Sequence, residues 1–392
     1  MALVLPSVMA SGTERRLSFV YRHLVRRYPG EYCLIVSGDL YPVLNRGGFG
    51  LDRLPGVHVL GRRSILDIKR EAHAPAVVNL GRLATLLRYR HELLRLIARE
   101  RITLLHAYLE LVPFLALLPM REIPWIAAVV DHLPKYFDGR SLDSRLLLRA
   151  IRLSGRTDCL YRRLALNLEA LGVPPAALNN PAWNTANHDA FHPEEKDPRA
   201  VSFAARAIDW KNPLLMIGVI EHVLRRKPDV RFAILGTGKM ETELARQIRR
   251  RSWAGQVRLG YMEDPSPVVN RSLVHVSLDR YDNFSNQTML EGMAAGCASV
   301  ASDVGETHRV ITPDVGVRVP LDSQEIAGAI LGLLDHPERA ADFGRAGRAR
   351  VLAHHHVERY VDYLHAVHDL SQVDPVVDGV RLRAPAASRP AG

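Results

Sequence analysis

The segment "VSFAARAIDWKNP" (201–213) places two cations five residues apart, Arg206 and Lys211, just beyond an apolar run that reads as a strand. Cations in a loop at a strand's carboxyl end can clamp a diphosphate, Lys as a point charge and Arg as a planar fork. Solvated surface cations are the plainer alternative. Further along, "DNFSNQTMLEGMAAG" (282–296) runs from small polar residues into a short apolar helix that carries one acid, Glu291. Thr288 and Glu291 fit the spacing of a capping box, in which Thr caps the helix and Glu reaches back to the free amides. The same geometry has a second use. A helix start offers unpaired N–H groups and a positive dipole end to an anion, and a carboxylate one turn in can accept from the vicinal hydroxyls of a ribose. Phosphate and ribose together mean a nucleotide. The segment "RFAILGTGKMETEL" (231–244) half-matches the dinucleotide fingerprint, but Glu241 stands at its third glycine position. An ordinary tight strand-to-helix turn accounts for Gly236 and Gly238, which disfavours a nicotinamide enzyme.

These residues need a scaffold, and the chain supplies one by alternation. "ALVLPSV", "YCLIVSG", "GVHVLG", "ITLLHAY" and "PWIAAVVD" read as strands in the first half, and "AVSFAAR", "VRFAILG", "QVRLGY", "LVHVSLD" and "CASVASD" in the second. Helix-length amphipathic stretches lie between most of them. Continuous apolar strands alternating with helices indicate parallel sheets covered on both faces, one per half. At 392 residues the chain is too long for one core. The polar, proline-bearing "FHPEEKDPRA" (191–200) marks the junction. The expected organisation is a domain over 1–195, a second over 196–370 and a tail, 371–392, whose lack of periodicity reads as disorder. Tandem doubly wound α/β domains face a central cleft, and such sheets bind ligands at the carboxyl ends of their strands.

Composition narrows the function. Cys33, Cys159 and Cys297 lie far apart, which is neither a disulfide framework nor a zinc site and fits a reducing cytoplasm. No basic leader precedes the first apolar run, so a cleaved signal peptide is not expected. "LVPFLALLPM" (111–120) is too short to span a bilayer. The net charge of +10 is concentrated early: residues 1–195 hold 26 Lys and Arg against 18 Asp and Glu. Three amphipathic segments (15–27, 81–101 and 144–156) set Leu, Val and Ile on one face with arginines between. They read as core-facing helices with a solvated face, or as a basic surface for anionic lipid headgroups or a phosphorylated acceptor. No nucleic-acid motif accompanies them.

Taken in order, the strand ending in Arg206 with Lys211 beyond it, "AILGTG", "VRLGYM", the "NFSN…LEGMAAG" block, "VASDVG" and "VGVRVP" (315–320) resemble the retaining glycosyltransferases of family 4. These are the group 1 transferases of GT-B fold, and the resemblance extends over roughly residues 200–370. The first half matches more loosely: "MALVLPSVMASGTERR" resembles the opening strand and glycine loop, with Gly12 near donor phosphate or acceptor. His106 and His132 stand where the family often carries strand-end histidines.

The resemblance implies transfer of a sugar from a UDP- or GDP-linked donor to an acceptor hydroxyl with retention, in making a glycan or glycolipid. It implies Arg206 and Lys211 on the leaving diphosphate, Glu291 on the ribose and His132 on the donor sugar. It also implies donor contacts from Gly236 and from Asn283, Phe284, Ser285, Asn286, Gln287, Thr288 and Met289. No tightly bound cofactor and no metal are expected. The expected partners are the nucleotide-sugar donor, a glycan or lipid-linked acceptor and an anionic membrane surface met by the basic first domain, with no nucleic acid. The expected location is the cytoplasm, at the inner face of the membrane.

The family's two glutamates have seven residues between them. The first of them normally touches the transferred sugar. Counting back from Glu291 lands on Asn283, while the nearest acid, Asp282, lies one residue further, so either Asp282 takes that catalytic role across one extra loop residue or Asn283 replaces the acid. Glu306 replaces a glycine, and Arg309 stands where a later Glu is usual. Two other readings therefore stay open: a catalytically weak nucleotide-sugar-binding partner subunit, and a sugar-nucleotide epimerase or phosphorylase on the same fold.

Overall fold

The structure is a computed structural model that describes residues 1–5, 12–45, 50–61, 76–108, 112, 115, 122–130, 136–180, 184–253, 255–284, 286–369, 376–377 and 380–381. The chain divides into two compact units, Met1–Ala182 with Glu358–Gly392, and Trp183–Val357. The first crossing therefore falls at 182/183, where the sequence reading puts 195/196. The last helix groups with the first unit rather than closing the second. The disorder read for 371–392 lies mostly outside the described residues, which there form only a short antiparallel pair, Val376–Val377 with Val380–Arg381.

The first unit is built from β1 (Ala2–Leu5), α1 (Gly12–Arg27), β2 (Cys33–Ser37), α2 (Leu40–Leu44), β3 (Val57–Leu60), α3 (Ala76–Arg99), β4 (Leu105–Ala107), β5 (Trp125–Val129), α4 (Leu142–Leu153), β6 (Arg156–Cys159), α5 (Arg162–Ala170) and β7 (Leu178–Asn179). Its strands form one parallel sheet in the order β3-β2-β1-β4-β5-β6-β7. The second unit runs β8 (Asp197–Ala204), α6 (Leu215–Arg226), β9 (Arg231–Leu235), α7 (Glu241–Arg250), β10 (Val257–Gly260), α8 (Ser266–Val269), β11 (Ser272–Ser277), α9 (Gln287–Ala294), β12 (Ala298–Ser302), β13 (Gly316–Val319), α10 (Ser323–Asp335) and α11 (Pro337–His354). Its sheet is also parallel, in the order β10-β9-β8-β11-β12-β13.

Continuous runs of Val, Ile, Leu and Phe make the central strands, whose two faces are covered by helices, while the edge strands β3 and β10 stay partly exposed. In the second unit Val201, Phe203, Phe232, Ile234, Val274, Val276, Val300 and Val319 meet Met216, Ile220, Leu244, Ile326 and Ile330 of the helices in one core. Both strand orders step outward from a first strand, return to its other side and continue the opposite way. That reversal leaves a crevice at the carboxyl ends of the two central strands, β8 and β11 in the second unit.

β6, "RTDC", has no counterpart among the strands read from sequence, and its side chains are mostly polar. They are buried nonetheless, and the reason is α12 (Val357–His368), the last helix. Arg156 Nη1 donates to the carbonyl of Val367 at 2.7 Å, and the hydroxyl of Tyr363 donates to Asp158 Oδ1 at 2.5 Å. His106 Nδ1 lies 2.9 Å from His368 Nε2, Tyr32 Oη lies 2.9 Å from His365 Nδ1, and Glu358 meets His23 and Arg27. Buried polar groups are as a rule hydrogen-bonded; Arg156 Nη1 and Asp158 find partners roughly two hundred residues away in the chain, whereas Arg156 Nε and Nη2 and Thr157 Oγ1 have none among the described residues.

Candidate functional site

In the second unit the crevice is assembled by the loops that leave β8, β9 and β11. The loop after β8 is held down first by backbone: Ala205 N donates to Leu235 O and Ala207 N to Thr237 O, each at 2.9 Å. A Cβ at Gly236 would overlap the carbonyl of Ala205, and one at Gly238 the carbonyl of Ala207. The two glycines thus let the β9 loop lie against the segment that carries Arg206. This is the tight turn read from the sequence, and it places Gly236 against protein backbone.

The loop is then stitched to the end of β11. Asn212, in the left-handed region at φ 49°, donates through Nδ2 to Leu278 O at 3.0 Å and accepts from Arg280 at 3.1 Å. Arg280 N donates to Trp210 O at 2.8 Å. The result is that Lys211, only 9% exposed, delivers its ammonium to Asp279 Oδ1 at 2.5 Å. Both cations lie against Trp210, its ring centre 5.5 Å from Arg206 Cζ and 5.2 Å from Lys211 Nζ. Arg206 itself is exposed.

Asp279 is buried too, and its second oxygen accepts from Asn286 Nδ2. Asn286 Nδ2 also donates to Ser277 Oγ at 2.8 Å, and Ser302 Oγ donates to Asp279 O at 2.7 Å. With its amide nitrogen so fixed, Asn286 turns its oxygen to Thr288 N at 3.0 Å and caps α9. The cap is therefore Asn286, which corrects the capping-box reading in which Thr288 caps and Glu291 reaches back. Asn is among the best N-cap residues, and here the charge of Asp279 holds it in place. Glu291 becomes the fifth residue of the helix, 4% exposed, with Gln287 Nε2 at 3.4 Å from Oε1. Met289 is buried in the helix, and Gln287 and Thr288 are half-buried at its start.

The helix is seated by two further features. A Cβ at Gly292 would run into the ring of His275, so glycine lets α9 approach β11 closely. His275 accepts or donates at Nδ1 with Ser202 Oγ, 3.0 Å away, and burial, with the nearby charge of Lys196, lowers its pKa to about 4. At the far end Lys196 Nζ donates to Ala295 O at 2.6 Å and Arg348 Nη1 to Ala294 O at 2.5 Å. Cations there complement the carbonyl end of the helix.

The loop before α9 is bound to the turn after β12. Asp282 Oδ1 accepts from Glu306 N at 3.2 Å, and a Cβ at Gly305 would overlap the Asp282 carboxylate. Phe284 is buried under the guanidinium of Arg309, 4.8 Å from its ring centre, and Arg309 also meets Glu306 at 3.2 Å. Asn283 is half-buried between these residues in sequence.

Of the residues singled out from sequence, the structure joins Lys211 to Asn286 and the first turn of α9 through one carboxylate. Ser285 and His132 lie outside the described residues. Gly12 is exposed at the first position of α1, in the other unit. His106 is 1% exposed and taken up by His368 and Tyr108. Asp279 and Trp210 were missed. A lone acid at the carboxyl end of the apolar run "LVHVSLD" was the available signal for Asp279. Among the described residues no group of three or more His, Cys, Asp or Glu could hold a metal ion.

Comparison with known proteins follows the same division. Residues 184–350 match a family model described as "Glycosyl transferases group 1". The phosphatidyl-myo-inositol mannosyltransferase of Mycolicibacterium smegmatis (strain ATCC 700084 / mc(2)155) is 29% identical over 192 residues, covering 47% of this chain and 49% of that protein. The chain thus spans about half the length of the curated relative it matches. Anabaena Alr3699/HepE in complex with UDP and glucose superposes with a TM-score of 0.71 at 16% identity, over 93% of this chain and 98% of that one. Sucrose-phosphate synthase from Thermosynechococcus elongatus superposes at 0.70 with 14% identity, over 94% and 98%. At these identities the likeness establishes the fold, which is GT-B with two Rossmann-like domains. The matches support assigning residues 184–350 to the group 1 glycosyltransferases.

Proposed function

We propose that the chain is a retaining glycosyltransferase of the family 4 type. It would move a hexose from a UDP- or GDP-linked donor to an acceptor hydroxyl, in making a cell-envelope polysaccharide, another glycan or a glycolipid. The observation that carries this reading is the linkage of Lys211, Asp279, Asn286 and the start of α9 at the strand-order reversal of the second sheet. A buried ammonium beside the amides of a helix start is an anion site, and the reversal is where an α/β sheet holds a nucleotide.

In this reading Lys211, the exposed Arg206 and the amides near Gln287–Met289 take the charge that develops on the leaving diphosphate. The bond from the anomeric carbon to the donor phosphate oxygen breaks while the acceptor oxygen bonds on the same face, and the acceptor's proton passes to the leaving phosphate. Glu291, a buried carboxylate on the first turns of α9, holds the ribose hydroxyls. Asp282 Oδ1 accepts from Glu306 N, which favours Asn283 over Asp282 for the contact with the transferred sugar. The donor as UDP-linked is favoured by Alr3699/HepE, a structural neighbour solved with UDP and glucose. The cation set needs no metal for this charge stabilisation.

A lipid-linked acceptor is favoured by the name of the curated relative and by the first unit's surface. Arg145, Arg149 and Arg152 of α4 are exposed beside Leu142 and Leu153, and Arg162 and Arg163 of α5 beside Leu166. Basic side chains interleaved with exposed leucines suit an anionic membrane face, here the cytoplasmic one. No helix of the described residues is long and apolar enough to cross a membrane. Flotation with anionic and neutral liposomes tests the attachment; equal recovery with both removes it.

The enzymatic reading is tested by a thermal-shift screen against nucleoside diphosphates and their sugars, followed by product analysis with and without an acceptor alcohol. One nucleotide is expected to raise the melting temperature above the rest, and sugar transfer is expected only with acceptor. Donor binding without turnover would leave the partner-subunit reading, and a changed sugar without acceptor would leave an epimerase.

A further inference from the structure

Lys211 and Asp279 are both almost fully buried, and they face each other at 2.5 Å across the loops that leave β8 and β11. A buried ammonium carries a large desolvation cost unless a counter-charge answers it. Asp279 answers it with one oxygen and fixes Asn286, the cap of α9, with the other. An ammonium has three donors, all of which can rotate into place. Asp279 takes one and so aims the remainder. The same carboxylate has a cost for a ligand: a diphosphate bound to Lys211 comes within one side chain of a fixed negative charge. At such separations like charges repel measurably even at the effective dielectric of a protein site.

We infer that Asp279 is a positioning residue that aims Lys211 and the start of α9 at the diphosphate while limiting how tightly that diphosphate is held, so that the spent nucleoside diphosphate leaves. The inference rests on the diphosphate reading of the site and adds to it a residue acting through Lys211. In the empty protein the Lys211–Asp279 pair is neutral. When the diphosphate enters, Lys211 bridges two anions, and the grip is that of a shared cation. A purely structural carboxylate would behave oppositely, since its loss would disorder the site and weaken every ligand.

The test is Asp279→Asn, which keeps size and polarity and removes the charge. Inorganic pyrophosphate and the nucleoside diphosphates are titrated into wild type and variant, reading dissociation constants and melting shifts. Pyrophosphate is expected to bind the variant about tenfold tighter and to raise its melting temperature more than it raises that of wild type. With donor and acceptor, KM for the donor is expected to fall and kcat to fall with it, as product release slows. Unchanged or weaker pyrophosphate binding overturns the inference. If Asp279→Asn does not fold alone, Asp279→Ser is read in the same way. If neither folds alone, refolding in pyrophosphate rather than chloride decides: rescue supports the inference and no rescue overturns it. Pyrophosphate carries neither base nor sugar, so tighter pyrophosphate binding without any nucleoside diphosphate binding removes the glycosyltransferase reading, and the release of a spent nucleotide with it, and leaves only the limit that Asp279 sets on the diphosphate grip of Lys211. The converse pattern, with nucleoside diphosphates bound equally by both proteins, removes the inference alone.

Discussion

The two sheets share a strand order about their central pair, β1 with β4 and β8 with β11, yet they use their buried polar groups differently. In the first unit His106, Asp158 and Arg156 reach α12, so polar residues of the sheet fasten a helix from the far end of the chain. In the second, Asp279 and Asn286 reach Lys211 and the first turn of α9, so the polar groups fasten a cation and a helix start. The first arrangement directs its bonded groups to another part of the protein, with Arg156 Nε and Nη2 left without a partner among the described residues. The second leaves an ammonium and helix amides beside a crevice, where a ligand can add to them. One topology thus gives a fastening in one place and a candidate binding site in the other.

The comparison would break most visibly at Lys211. Lys211→Ala is expected to lower kcat/KM about a thousandfold, the scale of losing a transition-state charge partner; steady-state kinetics with the donor identified by the screen would show it. A small change would move the second unit into the fastening class. Acid titration sharpens it next. Unfolded histidine takes up a proton below its ordinary value of 6.5, whereas His275 resists until about 4. The unfolded state then binds more protons across that window, so stability falls as pH falls from 6.5 towards 4, by about 3 kcal/mol for this one group. His368, lowered in the same direction by burial and by His106, contributes with the same sign from the first unit. Denaturant unfolding at both pH values should show His275→Asn losing only the second unit's share of the slope.

Glu291→Gln separates a ribose contact from a helix residue. It is expected to weaken nucleoside diphosphate binding by about 2 kcal/mol, the range for a hydrogen bond to a charged group, and to leave the 2′,3′-dideoxy analogue unaffected in calorimetry. Equal loss for both ligands would mean a structural carboxylate. Tyr363→Phe is the smallest change. It removes one donor from the Asp158 carboxylate and should cost about 1.5 kcal/mol of stability, the low end for a hydrogen bond to a charged group, without altering nucleotide affinity. An altered affinity would make the first unit's network part of the site.

The capping motif shows where local reading stops. Thr288 and Glu291 carry the right spacing, and Asn286 is an equally good cap; what chooses between them is Asp279, which local spacing does not bring near. β6 makes the same point from the other side. "RTDC" has no apolar pattern, and it is a buried strand because Val367 and Tyr363 supply its hydrogen bonds.

By itself the sequence determined what depends on neighbours in the chain. Apolar runs of strand length alternating with amphipathic helices specify two parallel sheets, and the glycines at 236 and 238 specify where loops can touch backbone. Arg206, Lys211 and Glu291 could be singled out because their positions follow from strand ends and helix starts. Only the tertiary structure decided which cap α9 uses, which carboxylate faces Lys211, why β6 is polar and to which unit the last helix belongs. All but the cap, where Asp279 and Asn286 are seven residues apart on a strand end and a helix start, are contacts between groups distant in sequence, and in each the cost of burying a charge or a donor is met by whichever partner the fold brings close.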